Sequence, residues 1–159
     1  MSTSKDTSGR LQAIAVRNIE FFRPKASDIP WRLLSSGAAN HTVDDLEQVL
    51  DMDYTRVANR IEPAATIGVY SMLRVDAQRF ELISLAVAPE IEHQLVGRRL
   101  LGHALGLAES KAAQEVVLSV CAENTRALDT TQRYGFVRSE AAAQKNTDRV
   151  ALRFELTPE

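Results

Sequence analysis

Apolar and β-branched residues crowd the stretch from Ile14 to Phe22, which ends at Pro24 and predicts an opening strand. Ser27-Asp28-Ile29-Pro30 then offers a capping side chain and a proline suited to a first turn. A helix is expected from there through Leu34, with a stop near Gly37. Thr42-Val43-Asp44-Asp45 has the form of a second helix start, in which an acid after the threonine caps back. Leu46, Val49 and Leu50 give that helix an apolar stripe. Three runs rich in Val, Ile, Leu and Tyr follow: Tyr54–Ile61, Thr66–Val75 and Arg79–Val87. Breaks at Pro63 and at Asp76-Ala77 make them an antiparallel meander.

The strongest helical period lies in Val96–Ala113, where Val96, Leu100, Leu101, Leu105 and Ala108 recur on one face. Glu115–Cys121 is a short, nearly continuous apolar run, the pattern of a strand buried on both faces, with Cys121 as a small buried residue. Thr125–Tyr134 predicts a helix closed by Gly135, and Val150–Leu156 a final strand. The element order is β-α-α-β-β-β-α-β-α-β-β. It fits a single α/β (α+β) domain over residues 10–159, with helices packed on a mostly antiparallel sheet. The polar stretch Met1–Gly9 reads as a disordered leader.

Composition narrows the function classes. With 45% hydrophobic residues the chain supports one sizeable core. Its 19 basic and 21 acidic residues, net charge −2, speak against a nucleic-acid or membrane-surface binder. Cys121 is the only cysteine, which excludes an intrachain disulfide and any cysteine-rich metal site. His41, His93 and His103 are scattered without ligand spacing, so no metal is expected. No apolar run reaches the roughly 20 residues of a membrane span, and the polar start lacks a signal-peptide core. A cytoplasmic location is the expectation.

Two stretches together carry a family likeness. Leu82–Leu105 reads LISLAVAPEIEHQLVGRRLLGHAL, and Asn124–Phe136 reads NTRALDTTQRYGF. The first resembles the acyl-coenzyme A segment of the GNAT N-acetyltransferase superfamily, where a strand ending Leu-x-Val-x-Pro leads into a glycine-rich turn and a long helix. The second resembles that family's later helix, Asn-x-x-Ala-φ-x-x-Tyr-x-x-x-Gly-Phe, where φ is apolar. Asn124, Ala127, Leu128, Gly135 and Phe136 fall in register with it. The resemblance implies the GNAT fold, a mixed, mostly antiparallel split sheet flanked by helices. It implies acetyl-coenzyme A as co-substrate and a small-molecule or peptide amine as acceptor.

The physics of the first segment is anion capture. A helix start presents unpaired backbone N–H groups and the positive end of the dipole, where a pyrophosphate can sit. In the family the turn reads Gln/Arg-x-x-Gly-x-Gly/Ala. Aligned without gaps from Pro89, this chain has Glu92-His93-Gln94-Leu95-Val96-Gly97, so the loop is degenerate and only its last glycine survives. If Glu92 points inward, a carboxylate about 4 Å from a phosphate costs about 4 kcal/mol at an effective dielectric of about 20. Arg98 and Arg99 follow at once with the opposite charge. By resemblance the coenzyme-binding residues are Leu85, Val87, His93, Gln94, Leu95, Val96, Gly97, Arg98, Asn124 and Thr131. The competing reading of this turn is an ordinary strand-to-helix loop.

Acyl transfer to an amine needs a proton acceptor, a donor for the developing oxyanion and an acid for the departing thiolate. The resemblance assigns the oxyanion donor to the backbone N–H near Val87, and the base to Glu81, which matches a glutamate of histone-type GNAT enzymes. Period-two geometry places Glu81, Ile83, Leu85 and Val87 on one face. The alternative for Glu81 is a solvated strand residue paired with Arg79 or another nearby base. The family's usual acid, a tyrosine, is replaced by Thr131. Tyr134, nearly one turn on, is the substitute candidate, or else packs in the core beside Phe136. Asn124 either contacts the pantetheine arm or caps its helix.

The early helices are expected to wall the acceptor pocket, where Asp44, Asp45, Glu47, Asp51 and Asp53 either attract a cationic amine or form a solvated face. The departures at Glu92, Leu95 and Thr131 keep a second function open, a non-catalytic binding or regulatory module on the same fold. An exposed final strand would suit a homodimer.

Overall fold

The computed structural model describes residues 19–36, 50–61, 65–88, 93–139 and 148–156. The expected leader, the start of the first strand at Ile14, the helix begun at Thr42 and the turn at Glu92 lie outside these residues. The first four strands, β1 (Ile19–Phe22), β2 (Thr55–Arg60), β3 (Ala65–Arg74) and β4 (Arg79–Val87), form an antiparallel meander. Strand β5 (Glu115–Cys121) then joins β4 in parallel, and β7 (Arg149–Glu155) pairs antiparallel with β5 along its length. The short β6 (Val137–Arg138) closes the mixed sheet, in the order β1-β2-β3-β4-β5-β7-β6. The final strand is therefore not a free edge, because β6 covers it at Leu152 and Arg153.

Among the described residues three helices pack on this sheet: α1 (Trp31–Ser36), α2 (His93–Ser110) and α3 (Thr125–Tyr134). Helix α2 buries Val96, Leu100, Leu101, Ala104, Leu105 and Ala108 on the sheet face that carries Tyr70, Met72, Phe80 and Leu82. Close approach is possible because Gly68 lies beneath it: a Cβ there would come within 2.8 Å of a Leu100 methyl. On the opposite face Ile29 and Leu34 pack against Val57, Val69, Ile83 and Ala86. The buried Ser84 hydroxyl donates to the Leu34 carbonyl and ties the end of α1 to β4.

Several expected boundaries shift for local reasons. Ser27 does not cap an α-helix; Ala26–Asp28 form a 3-10 turn, and α1 starts only after Pro30. Helix α2 ends at Ser110 rather than Ala113. Its end is a Schellman closure, with Ala113 N–H donating to Ala108 C=O and Ala112 N–H to Glu109 C=O. That closure puts Ala112 at φ 62°, a conformation that suits glycine. Strand β5 is buried on one face only. Val116, Leu118 and Val120 are buried, while Val117 and Ser119 are half-buried and Cys121 is exposed, which corrects the expectation of a buried thiol.

The register between β3 and β4 passes from Ser71↔Ser84 to Met72↔Leu82, so Ile83 is an extra, bulged residue. The bulge inverts the alternation along β4. Leu85 and Val87 join the α2-side core, whereas Ile83 and Ala86 belong to the α1-side cluster. Glu81, between Phe80 and Leu82 of the α2-side core, points to the α1 side. The expected common face of Glu81, Leu85 and Val87 is thus corrected.

One polar pair lies within the α2 packing. The Tyr70 hydroxyl and His103 Nδ1 are 2.7 Å apart, and Phe21 stacks on the imidazole with centroids 4.0 Å apart. Burial pushes the Tyr70 phenol well above its ordinary range, against a smaller opposing pull from Arg56. The phenol is therefore the donor and Nδ1 the acceptor. Burial, then Arg56 and Arg99, hold His103 below its ordinary value, so the folded state keeps it neutral.

Two outcomes follow from this packing. Ala112→Gly should raise unfolding free energy by about 1 kcal/mol in urea titration, by relieving the left-handed alanine. A folded-state His103 pKa below its unfolded value stabilises at high pH and loses that contribution as pH falls through about 6.5. The melting temperature between pH 7 and pH 5 should therefore fall more steeply in the wild type than in His103→Gln, as read by calorimetry at each pH.

Candidate functional site

Strands β4 and β5 stay paired for only three rungs, Arg79↔Glu115, Phe80↔Val116 and Glu81↔Val117. Above them the strands part, and a cavity of about 340 Å³ lies between Leu82–Val87 of one edge and Leu118–Cys121 of the other. Helix α2 contributes Gly97 and Leu101 to its wall, and α3 contributes Ala127, Thr130 and Thr131. Among the described residues, the charged members of that wall are Arg126 and Arg149. Two bonds to Ser119, from Nε to Oγ at 2.8 Å and from Nη2 to the carbonyl at 2.9 Å, orient the Arg149 guanidinium.

The β4 edge supplies backbone donors. Ala88 N–H donates to Ile67 C=O at 2.8 Å, so it faces β3. Alternation then turns the N–H groups of Val87 and Leu85 the other way, into the gap where β5 has moved off. Both residues line the cavity.

At the cavity mouth α2 begins at His93, so His93, Gln94, Leu95 and Val96 are the residues whose N–H groups have no intrahelical acceptor. Gly97 lies in the cavity wall. Leu95 is 43% exposed and outside that wall, Val96 is buried in the core, and Arg98 is exposed. Leu95 therefore does not plug the groove.

Helix α3 presents Asn124, Ala127 and Thr131 at helical spacing to the same cavity. Asn124 caps the helix, its Oδ1 accepting from Ala127 N–H at 3.2 Å. Thr131 Oγ1 donates to the carbonyls of Ala127, at 2.7 Å, and Leu128, at 3.1 Å. Thr130 was not singled out from the sequence. It is 7% exposed, and its Oγ1 has no hydrogen-bond partner among the described residues. A buried hydroxyl left in that state costs about 1–3 kcal/mol. Its signal was there to read, since it stands one turn after Arg126 and Ala127.

Other expected members are not brought together. Tyr134 is outside the wall: its hydroxyl sits against Gly102 of α2 and its ring against Phe154 at 5.9 Å, and Phe136 also packs on Phe154, at 5.4 Å. Glu81 lies at the base of the fork, on the α1 side and outside the wall. Its suggested partner Arg79 bonds Glu115 instead. Of the five acids expected near the acceptor, Asp44, Asp45 and Glu47 lie outside the described residues. Asp51 caps a 3-10 turn by accepting from Asp53 N–H, and Asp53 pairs with Arg23 at 2.7 Å. Cys121, expected as a small buried residue of the strand, instead stands exposed in the cavity wall. Among the described residues no helix is long and apolar enough to cross a membrane.

Comparison with known proteins agrees with this architecture. A GNAT family acetyltransferase from Elizabethkingia anophelis with acetyl-CoA bound superposes with a TM-score of 0.72 at 22% identity, covering 87% of this chain and 99% of that one. The IAA acetyltransferase from Bacillus cereus ATCC 14579 gives 0.72 at 20% identity, over 87% and 99% of the two chains. The ribosomal-protein-S18-alanine N-acetyltransferase from Escherichia coli gives 0.70 at 15% identity, over 89% and 96%. No curated protein sequence matches significantly. The sequence profile of the acetyltransferase (GNAT) family matches residues 28–136, a span that holds the fork, the start of α2 and all of α3. The chain belongs to the acetyltransferase (GNAT) family.

Proposed function

We propose that the chain transfers an acetyl group from acetyl-coenzyme A to a primary amine of a small molecule or peptide, in the cytoplasm. The observation that carries this reading is the open fork, with two β4 amides turned into it and a helix start at its mouth. The residues present fit the coenzyme. The Leu85 N–H would bond a polar group of the coenzyme's arm, which leaves the Val87 N–H for the thioester carbonyl. The N–H groups of His93–Val96 would grip the diphosphate, with Gly97 keeping that approach free of a side chain and Arg126 adding positive charge. Asn124 and Thr131 add bulk and shape rather than proton chemistry, because their oxygens serve α3 itself.

Acetyl-coenzyme A supplies the activated acyl group. The Val87 N–H polarises the thioester carbonyl and stabilises the negative charge that gathers on its oxygen as the amine attacks. Glu81 accepts the amine's proton. It lies six residues below Val87, roughly 20 Å at about 3.3 Å per residue, so the proton passes along water. The two sheet faces divide the labour: the coenzyme runs on the α2 side and the acceptor enters from the side of α1 and Glu81. A second reading, a coenzyme-binding module without catalysis, is favoured by one observation. Thr131 spends its hydroxyl inside α3 and Tyr134 stands outside the wall, so neither offers an acid to the thiolate.

Titration of released thiol across a panel of amines, beside calorimetry with acetyl-coenzyme A, separates the readings. Amine-dependent thiol release supports the transferase, binding without release supports the module, and neither result rejects both. With a working acceptor, Glu81→Gln should lower kcat about 10- to 100-fold at pH 7 with little change in KM for acetyl-coenzyme A. An unchanged kcat and pH profile would leave proton removal to water alone. Thr130→Val should raise the unfolding free energy by up to about 1 kcal/mol in urea titration, by removing a buried hydroxyl without a partner.

A further inference from the structure

We infer that Arg149 determines which acceptor the site takes, as a fixed cation that selects amines carrying a carboxylate, such as an amino acid or a short peptide. The inference rests on the proposed transferase reading, in which the coenzyme runs on the α2 side of the fork and the acceptor enters from the α1 side. The cavity has walls on both faces of the sheet. Leu118 and Val120 of β5 and Val150 of β7 belong to the α2-side core. Alternation along the paired strands therefore turns Ser119 and Arg149, both in the cavity wall, to the opposite face. Across the fork, Ile83 and Ala86 of the α1-side cluster line the same cavity. Arg149 is thus on the acceptor's side. Arg126 is in the first turn of α3, which packs on the α2-side core, and so is on the coenzyme's side.

The cation is half-buried and held in place before any ligand arrives. Its Nε donates to Ser119 Oγ at 2.8 Å and its Nη2 to the Ser119 carbonyl at 2.9 Å, which fixes the guanidinium plane against β5. A fork fixed in this way loses little freedom on binding, and it matches a carboxylate through parallel, charge-assisted N–H···O bonds. Among the described residues the cavity wall holds no carboxylate of its own. The expected acids Asp51 and Asp53 are engaged elsewhere, in a 3-10 turn and with Arg23. The charge that attracts a carboxylate also repels a second ammonium, so the site turns away diamines. Recognition asks for the charge and its fixed place, and not for a guanidinium without other bonds. The reach is suitable. Ser119 stands two residues beyond the last paired rung and Val87 six, which sets the cation roughly 10–13 Å along the strands from the oxyanion donor, at about 3.3 Å per residue. An amino acid or short peptide, with a contact at each end, spans that.

Thiol titration with matched acceptors tests this on the full chain: glycine, β-alanine and triglycine, each beside its carboxamide, with putrescine as the diamine. The expected result is a kcat/KM at least about tenfold higher for an acid than for its carboxamide, carried by KM, with putrescine poorer still. In Arg149→Gln that preference should shrink to within about twofold, while calorimetry shows acetyl-coenzyme A still bound. Arg149→Lys, which keeps the charge and loses the fork, should retain an intermediate preference. Carboxamides or putrescine used as well as the acids, or an unchanged preference in Arg149→Gln, overturns the inference and leaves the transferase standing. If no acceptor releases thiol, calorimetry of the same acids on the coenzyme A-bound chain decides. Binding that Arg149→Gln abolishes keeps the site and rejects catalysis, and no binding rejects both.

Discussion

A β-sheet that opens in its middle leaves two rows of backbone amides and carbonyls without partners, and a protein tolerates that only where water or a ligand satisfies them. In this chain the opening begins directly above Glu81↔Val117. The bulge at Ile83, just beyond that rung, re-aims the upper half of β4, and it keeps Ile83 and Ser84 together on the α1 side, with Ser84 fastened to Leu34. The upper strand is therefore held from the α1 side and by β3, not by β5. Leu85 and Val87 are left turned toward a cavity that α2 and α3 complete.

Helix α2 links the fork to the rest of the core. Its apolar stripe lies over β3 and β4, with Leu100 close above Gly68, and its first residues come to the mouth of the cavity. The Tyr70–His103 bond and the Phe21 stack fix the middle of the helix against β1 and β3. A helix held in this way along its length presents its leading N–H groups in a fixed place. Anion capture by backbone depends on that placement and not on the side chains of the turn. This explains why a loop with leucine at a glycine position is compatible with the function: the Leu95 side chain lies outside the wall.

Much of the architecture was legible in the sequence where the period was long or the strands well bounded. The meander, the long helix, the strand after it and the helix closed by Gly135 all appear near their expected places. What could not be read is local. Nothing in Leu82-Ile83-Ser84-Leu85 announces a bulge, because each residue is compatible with either face, and one added residue reverses every side chain beyond it. An alanine in the left-handed closing position of α2 carries no sequence signal, since glycine is the usual marker. Cys121 was misjudged because the apolar run Val116–Val120 resembles a strand covered on both sides, whereas its second face is only partly covered. The sequence sets Thr131 where the family pattern has a tyrosine, but only the structure gives its hydroxyl bonds within α3.

The central claim is that the parted edge of β4 is the coenzyme's binding edge. Residue-resolved hydrogen exchange, with and without saturating acetyl-coenzyme A, addresses it most directly. The account predicts that the amides of Leu85 and Val87, together with those at the start of α2, exchange at least about tenfold more slowly with the coenzyme present, while the paired rungs Arg79–Glu81 do not change. Unaltered exchange at Leu85 and Val87 under saturating coenzyme would contradict it.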